Sequence, residues 1–421
     1  MLSRRSFLTT SAAGLTGALL SPHRGNAADV ASYDANVPVR VITHGPTHHW
    51  FGYYDKWQFD ATDRYVLSNG VDFEHRSPTA EDRIEVGYVD LQKDDRWATI
   101  GHSRAWGWQQ GCMLQWVPRH ATAAIWNDRE GDHYVSRWHD IKTGETRTLS
   151  RPIYALSPTG TTAISTDFRR LNEVRPGYGY TGIDDPNRDN LRPDDVGIWS
   201  VDLKSGKSEL MLSVKQVATF GTQTPSMKTG KHYFNHLLFN PDGSRFVFLH
   251  RWLLADKPHR WQTRMLTANP DGSDLYELNP PGVTSHFIWR DPEHICGWSQ
   301  NPGQTPGFYL FKDQTRETTP VGSDVMTRDG HVTYLPTGEL GEWILNDTYP
   351  DKQRMQTVYL YHVPTGKRID LGRFPAPEAY RGEWRCDTHP RSSRDGQWIC
   401  IDAPHGKEGR QLHLLDLRGI L

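Results

Sequence analysis

The chain of 421 residues carries 48 Lys and Arg against 50 Asp and Glu, and this formal net charge of -2 excludes the basic excess of a general nucleic-acid binder. Sixteen Trp and seventeen Tyr lie among 37 Gly and 27 Pro, a mixture that suits an all-β repeat fold and offers aromatic rings that can stack on sugar faces. Outside the leader, no long stretch places apolar residues at i, i+3, i+4 and i+7.

The first element is a leader. Ser3-Arg4-Arg5-Ser6-Phe7-Leu8 is a twin-arginine phrase, followed by a small, apolar stretch to Leu20 and the cleavage-like Gly25-Asn26-Ala27-Ala28. The apolar stretch is too short for a membrane span. Residues 1–27 are therefore expected to be an export signal, and 28–421 a single domain in the periplasm or beyond.

The mature chain then repeats one phrase. His48-His49 and Tyr53-Tyr54-Asp55 open the first unit, where closing the fold is the expected role. Gln109-Gln110-Gly111 and Trp126-Asn127-Asp128 belong to the second. The third runs from Tyr154 through the Pro158-Thr159-Gly160 turn to Asp167-Phe168-Arg169-Arg170. The clearest unit reads strand, Pro241-Asp242-Gly243 turn, strand, from His236 to His250. His331 and His389 likewise stand seven residues before a turn glycine, and His286 occupies the same slot with Glu293 in place of glycine.

Unit starts fall near residues 50, 110, 154, 236, 286, 331 and 389. This spacing predicts a seven-bladed β-propeller of four-stranded antiparallel blades. Residues just before each inner strand would ring the axis on one face: Gln110, Tyr154, His236, His286, His331 and His389. Asn127, Asp167 to Arg170, His250, Asn346, Asp347 and Asp402 would form a second ring outside them. Long insertions over 172–195 and 214–231 would shape a site on one face.

Converging imidazoles can bind Zn2+ or Mn2+, with Cys386 as a soft extra ligand; equally, they can be repeat residues that hydrogen-bond between blades. Cys112, Cys296 and Cys400 read as small apolar residues. A hairpin would bring Tyr154 and Arg170 to one blade edge. A guanidinium there lowers the phenol's pKa and grips a carboxylate, as β-elimination from a uronic acid requires, or it merely packs against the ring. Gln110 and Asn127 supply amides for the carboxylate or tie loops together. His250, Tyr233 and Arg169 are assigned to substrate binding. No carboxylate pair stands out for a glycoside hydrolase.

Gly52-Tyr53-Tyr54-Asp55, the Tyr154…Arg170 pair and Cys386-Asp387-Thr388-His389 together resemble the seven-bladed propeller polysaccharide lyases. The likeness is to ulvan lyases and related rhamnose–glucuronate lyases in particular, and more distantly to oligogalacturonate lyases. The resemblance implies tyrosine as base and acid (Tyr154) with Arg170 beside it; the family's carboxylate-binding histidines are replaced here by Gln110 and Asn127. It also implies a structural zinc at His236, His286, Cys386 and His389, or, on the oligogalacturonate pattern, a catalytic Mn2+ in the histidine cluster, with no organic cofactor. A uronic-acid-containing polysaccharide or oligosaccharide is the expected substrate. The alternatives are a metal-dependent oligogalacturonate-type lyase and a non-catalytic glycan-binding propeller.

Overall fold

The computed structural model describes residues 33–301 and 303–421, so the twin-arginine leader lies outside the described residues. Nearly all the regular structure of the described residues is antiparallel sheet. Four-stranded sheets are built from His48–Trp50 to Arg96–Ser103, from Gln115–Trp116 to Thr146–Leu149, and from Ala155–Leu156 to Ser208–Ser213. A seven-stranded sheet follows, from Lys231–Phe239 to Thr318–Val321. Its long strand Tyr276–Trp289 pairs with Lys257–Ala268 along its first half and with His294–Gln300 along its second. Thr333–Tyr334 to Lys367–Pro375 form the next sheet and Arg391–Ser392 to Arg410–Asp416 the last.

The N-terminal segment closes the ring. Asp34–Ala35 pairs with Lys367–Pro375, and Val39–Val41 pairs with Arg410–Asp416 as the fourth strand of the last sheet. That last sheet in turn packs on His48–Trp50 of the first. Sheets meet through apolar faces: Phe234, Phe239, Phe246 and Phe248 are all buried in one such cluster. Each side chain of this kind contributes about 1.5–3 kcal/mol on burial. The four cysteines are free and buried.

Local chemistry explains the repeat. In the Pro241-Asp242-Gly243 turn, Gly243 takes φ of 78° and donates its N–H to Asn240 O, while Asp242 Oδ1 accepts from Ser244 N–H. Seven residues earlier the ladder is interrupted: the register of Lys231–Phe239 shifts between Asn235 and Leu238, with His236 at φ 61°. Tyr276–Trp289 shifts between Thr284 and Phe287, at His286. Each bulge releases backbone N–H groups from the ladder and re-aims a side chain. The freed groups go to tyrosines: His236 N–H donates to Tyr154 Oη at 2.8 Å and Phe287 N–H to Tyr54 Oη at 3.0 Å.

One expected hairpin is corrected. The strand Thr162–Ser165 ends before Arg170, because Asp167 caps a helix, Phe168–Val174, by accepting from the N–H groups of Arg169 and Arg170. Arg170 is thereby turned away from the blade edge. Its guanidinium donates to His232 O, Asn187 O, Asn190 O and Leu191 O and pairs with Asp185 at 3.2 Å. Arg170→Ala is expected to lower the unfolding free energy by about 3–5 kcal/mol, because it strands Asp185 and four carbonyls; urea denaturation measures this.

Candidate active site at the histidine ring

Tyr53 and Tyr54 lie within the ring of histidines. The Tyr53 ring centroid is 4.9 Å from His236, 5.3 Å from His389, 6.3 Å from His331 and 6.5 Å from His286. Tyr54 Oη donates to Phe287 O at 2.8 Å and lies 3.0 Å from His236 Nε2, so that nitrogen carries the proton and donates to the phenol. His236 Nε2 is thus spent within the protein. His286 Nδ1 lies 3.0 Å from Asp329, and no His286 atom joins the close donor group described next.

That group is His331, Asp387 and His389, whose ligand atoms lie within 4.8 Å of one another. His331 Nδ1 lies 2.9 Å from Asp347 Oδ1, which fixes the ring and leaves Nε2 free. Burial opposes the charged imidazole, but the Asp347 carboxylate outweighs it and raises the His331 pKa. Burial and the neighbouring cations hold His389 neutral, its pKa well below the ordinary value. Among the described residues, His331 Nε2 and His389 Nε2 are both buried without a hydrogen-bond partner. Two orphaned imidazole nitrogens beside a buried carboxylate fit a divalent cation.

Of the expected donors His236, His286, Cys386 and His389, only His389 belongs to this close group; His331 and Asp387 complete it. Cys386 is buried, its pKa pushed up by burial, and its charged neighbours include Arg410 and Glu74.

A cationic wall adjoins the triplet. Arg385 Nε donates to Asp387 Oδ2 at 2.6 Å and its Nη2 to Tyr178 Oη at 2.8 Å. Arg175 lies over the Tyr178 ring at 4.2 Å and over the exposed Trp261 ring at 4.5 Å. Arg251 is buried, and among the described residues its guanidinium makes one hydrogen-bond contact, 3.4 Å from Nη2 to Thr284 O. Arg175 Nη1, Arg251 Nε and Tyr233 Oη lack partners among the described residues. Burial alone would raise the Tyr178 pKa, but Arg385 and Arg175 bring it down from 10 to about 7. Unpaired buried guanidinium groups are costly unless an anion meets them.

Tyr178 is positioned by its neighbours in the 172–195 insertion. Gly177 takes φ of 89°, and a Cβ on Gly179 would sit 2.1 Å from Asn172 N and 2.4 Å from Phe168 O. Gly179→Ala is expected to shift Tyr178 and lower turnover by about a hundredfold, the scale of a 1 Å misplacement; steady-state kinetics on a folded variant checks it.

The other expected site residues serve the framework. Tyr154 is fully buried, its Oη accepts from Gln110 Nε2 and His236 N–H at 2.8 Å each, and burial pushes its pKa far up. It is therefore not placed to act as a base. Asn127 Nδ2 donates to Ile153 O and Tyr180 Oη while its Oδ1 accepts from Ile153 N–H, stitching the second sheet to the third. His250 Nδ1 accepts from Arg264 Nε, and its Nε2 meets His232 Nδ1 at 2.8 Å. Arg169 pairs with its own cap, Asp167, at 2.6 Å. Tyr233 alone of the expected substrate binders borders the cationic wall.

No protein-family model matches the chain, and no curated protein does. Solved structures do. An oligogalacturonate lyase from Vibrio parahaemolyticus superposes with TM-score 0.62 at 14% identity, covering 92% of this chain and 98% of that one. An oligogalacturonate lyase in complex with manganese gives 0.61 at 16%, covering 91% and 96%. The β-propeller domain of the Trilobed protease from Pyrococcus furiosus gives 0.50 at 9%, covering 87% and 96%. At these identities the likeness shows the fold: this chain is folded as a β-propeller.

Proposed function

We propose that this chain is a metal-dependent lyase that cleaves a uronic-acid-containing oligosaccharide by β-elimination at the histidine ring. The carrying observation is a buried His331/Asp387/His389 donor group linked through Arg385 and Tyr178 to Arg175 and Arg251, two guanidinium groups with no carboxylate partner among the described residues. The likeness to oligogalacturonate lyases, one of them a manganese complex, supports the same reading. We count the seven-stranded sheet as two blades joined through Tyr276–Trp289, which makes seven blades. We also assign residues 1–27 to twin-arginine export, which a reporter fused to this leader tests.

His331, Asp387 and His389 would hold the cation. A bound divalent cation supplies positive charge that neutralises the uronate carboxylate and acidifies C5–H. With no thiolate among the donors, the set suits Mn2+ as well as imidazole-rich zinc sites. Arg175 and Arg251 hold the carboxylate through charge-assisted hydrogen bonds. Tyr178, as phenolate, takes the C5 proton; the C5–H electrons form the C4–C5 double bond, the C4–O bond breaks, and Tyr178 returns the proton to the leaving oxygen. Arg385 favours the ionised form of Tyr178. Tyr154, Gln110 and Asn127 hold the framework behind this site.

The test is ultraviolet absorbance of the unsaturated product, with Mn2+ present, on oligogalacturonate, ulvan and other glucuronate-containing glycans. Absorbance that grows on one of them is expected. Binding without absorbance change across the panel would instead favour a glycan-binding propeller.

A further inference from the structure

An open cavity of about 690 Å3 occupies the other end of the axis. Tyr54 stands between the two ends: the residue lines this cavity, while its hydroxyl meets His236 and Phe287. Much of the wall is apolar, from Leu156, Leu238, Phe239, Ile288 and Trp289. Trp57 is 43% exposed in the lining, with the Arg394 guanidinium 3.5 Å from its ring. Arg119 adds an exposed guanidinium from a left-handed backbone at φ 62°.

The charge balance of the lining is positive. Its one acid, Asp55, is bonded to Lys56 Nζ at 2.9 Å, with both side chains buried. Asp63 lies next to Arg394, but its oxygens accept the N–H groups of Arg394 and Asp395 at 2.6 and 3.0 Å. Burial lowers the Arg394 pKa to about 10, which leaves it charged at neutral pH. Arg119 and Arg394 therefore bring cationic groups to an apolar chamber whose only carboxylate is already neutralised.

We propose that this cavity is a second ligand site, for an organic anion with a flat apolar body, of the aromatic carboxylate class. A sugar would have to set part of its hydroxyl-bearing surface against Leu156, Phe239 and Ile288, where hydroxyls lose water at a cost. An aromatic acid instead places its ring among the apolar walls and its carboxylate on the guanidinium groups, the usual division of labour in a small-molecule pocket. The site stands apart from the histidine ring and does not depend on the lyase reading.

Calorimetric titration of the mature chain with 2-naphthoate, and with the neutral 2-naphthylmethanol, tests it. One naphthoate per chain is expected, bound at least about tenfold more tightly than the alcohol, as a charge-assisted hydrogen bond implies. Arg119→Gln should erase most of that preference. Ala61→Trp, at an exposed position in the lining, should block both probes. Both positions are at the surface, so unchanged thermal melting is expected of each variant. No binding, equal affinity for the two probes, or binding that neither replacement alters would overturn the proposal.

Discussion

Replacing Tyr178 with Phe is expected to lower kcat by about a thousandfold, within the range a positioned acid–base group contributes. The substitution removes one oxygen, which accepts from Arg385 at 2.8 Å, and leaves the ring under Arg175. The triplet donors are untouched, so Mn2+ binding should survive and show that the variant is folded. The pH profile follows from the same group. Tyr178 acts as a base only when deprotonated, and Arg385 and Arg175 lower its pKa to about 7 against the pull of burial. The kcat/KM of the wild type should therefore fall about tenfold per pH unit below that value and level off above it. In the Phe variant this acidic limb should vanish. Full turnover by that variant with the limb intact would place the base elsewhere.

Metal removal is the second large effect. Dialysis against a chelator is expected to reduce turnover by at least about a thousandfold, since charge neutralisation by a bound cation supplies several kcal/mol. Mn2+ should restore it. Binding has its own readout: at a hundredfold excess over Kd, a cation held by the folded chain alone adds about 2.7 kcal/mol to stability. The melting temperature should rise accordingly, and His331→Ala and Asp387→Asn should each abolish the rise. Unchanged melting with Mn2+, together with activity in chelator, would contradict the donor assignment.

The histidine ring was legible in the sequence because it recurs. His236, His331 and His389 each stand seven residues before a turn glycine, and the bulges at His236 and His286 give that slot a backbone reason. Which imidazoles remain free to bind was not legible. That depends on the partner of the second ring nitrogen: Tyr54, 182 residues from His236, and Asp347, 16 residues from His331. Alternation along Cys386-Asp387-Thr388-His389 could have favoured the carboxylate, two residues from His389, over the thiol.

Arg170 does not lie where a continued strand would put it, because a helix starts there. Asp167 is a capping residue, and Phe168, Leu171 and Val174 are buried at helical spacing, a signal only seven residues long. Tyr178 and Arg175 lie in the insertion over 172–195, expected to shape the site, but outside the repeat that ordered the other residues. Arg251 directly follows His250 in the middle of the strand Phe246–Leu254; the alternation of the strand sends one into the framework and the other toward the wall.

The most direct measurement is a crystal structure of the Tyr178→Phe variant grown with Mn2+ and a short uronate oligosaccharide. The account predicts anomalous density among His331, Asp387 and His389, and a sugar carboxylate against Arg175 and Arg251. Metal bound elsewhere, or an oligosaccharide seated outside this wall, would contradict it.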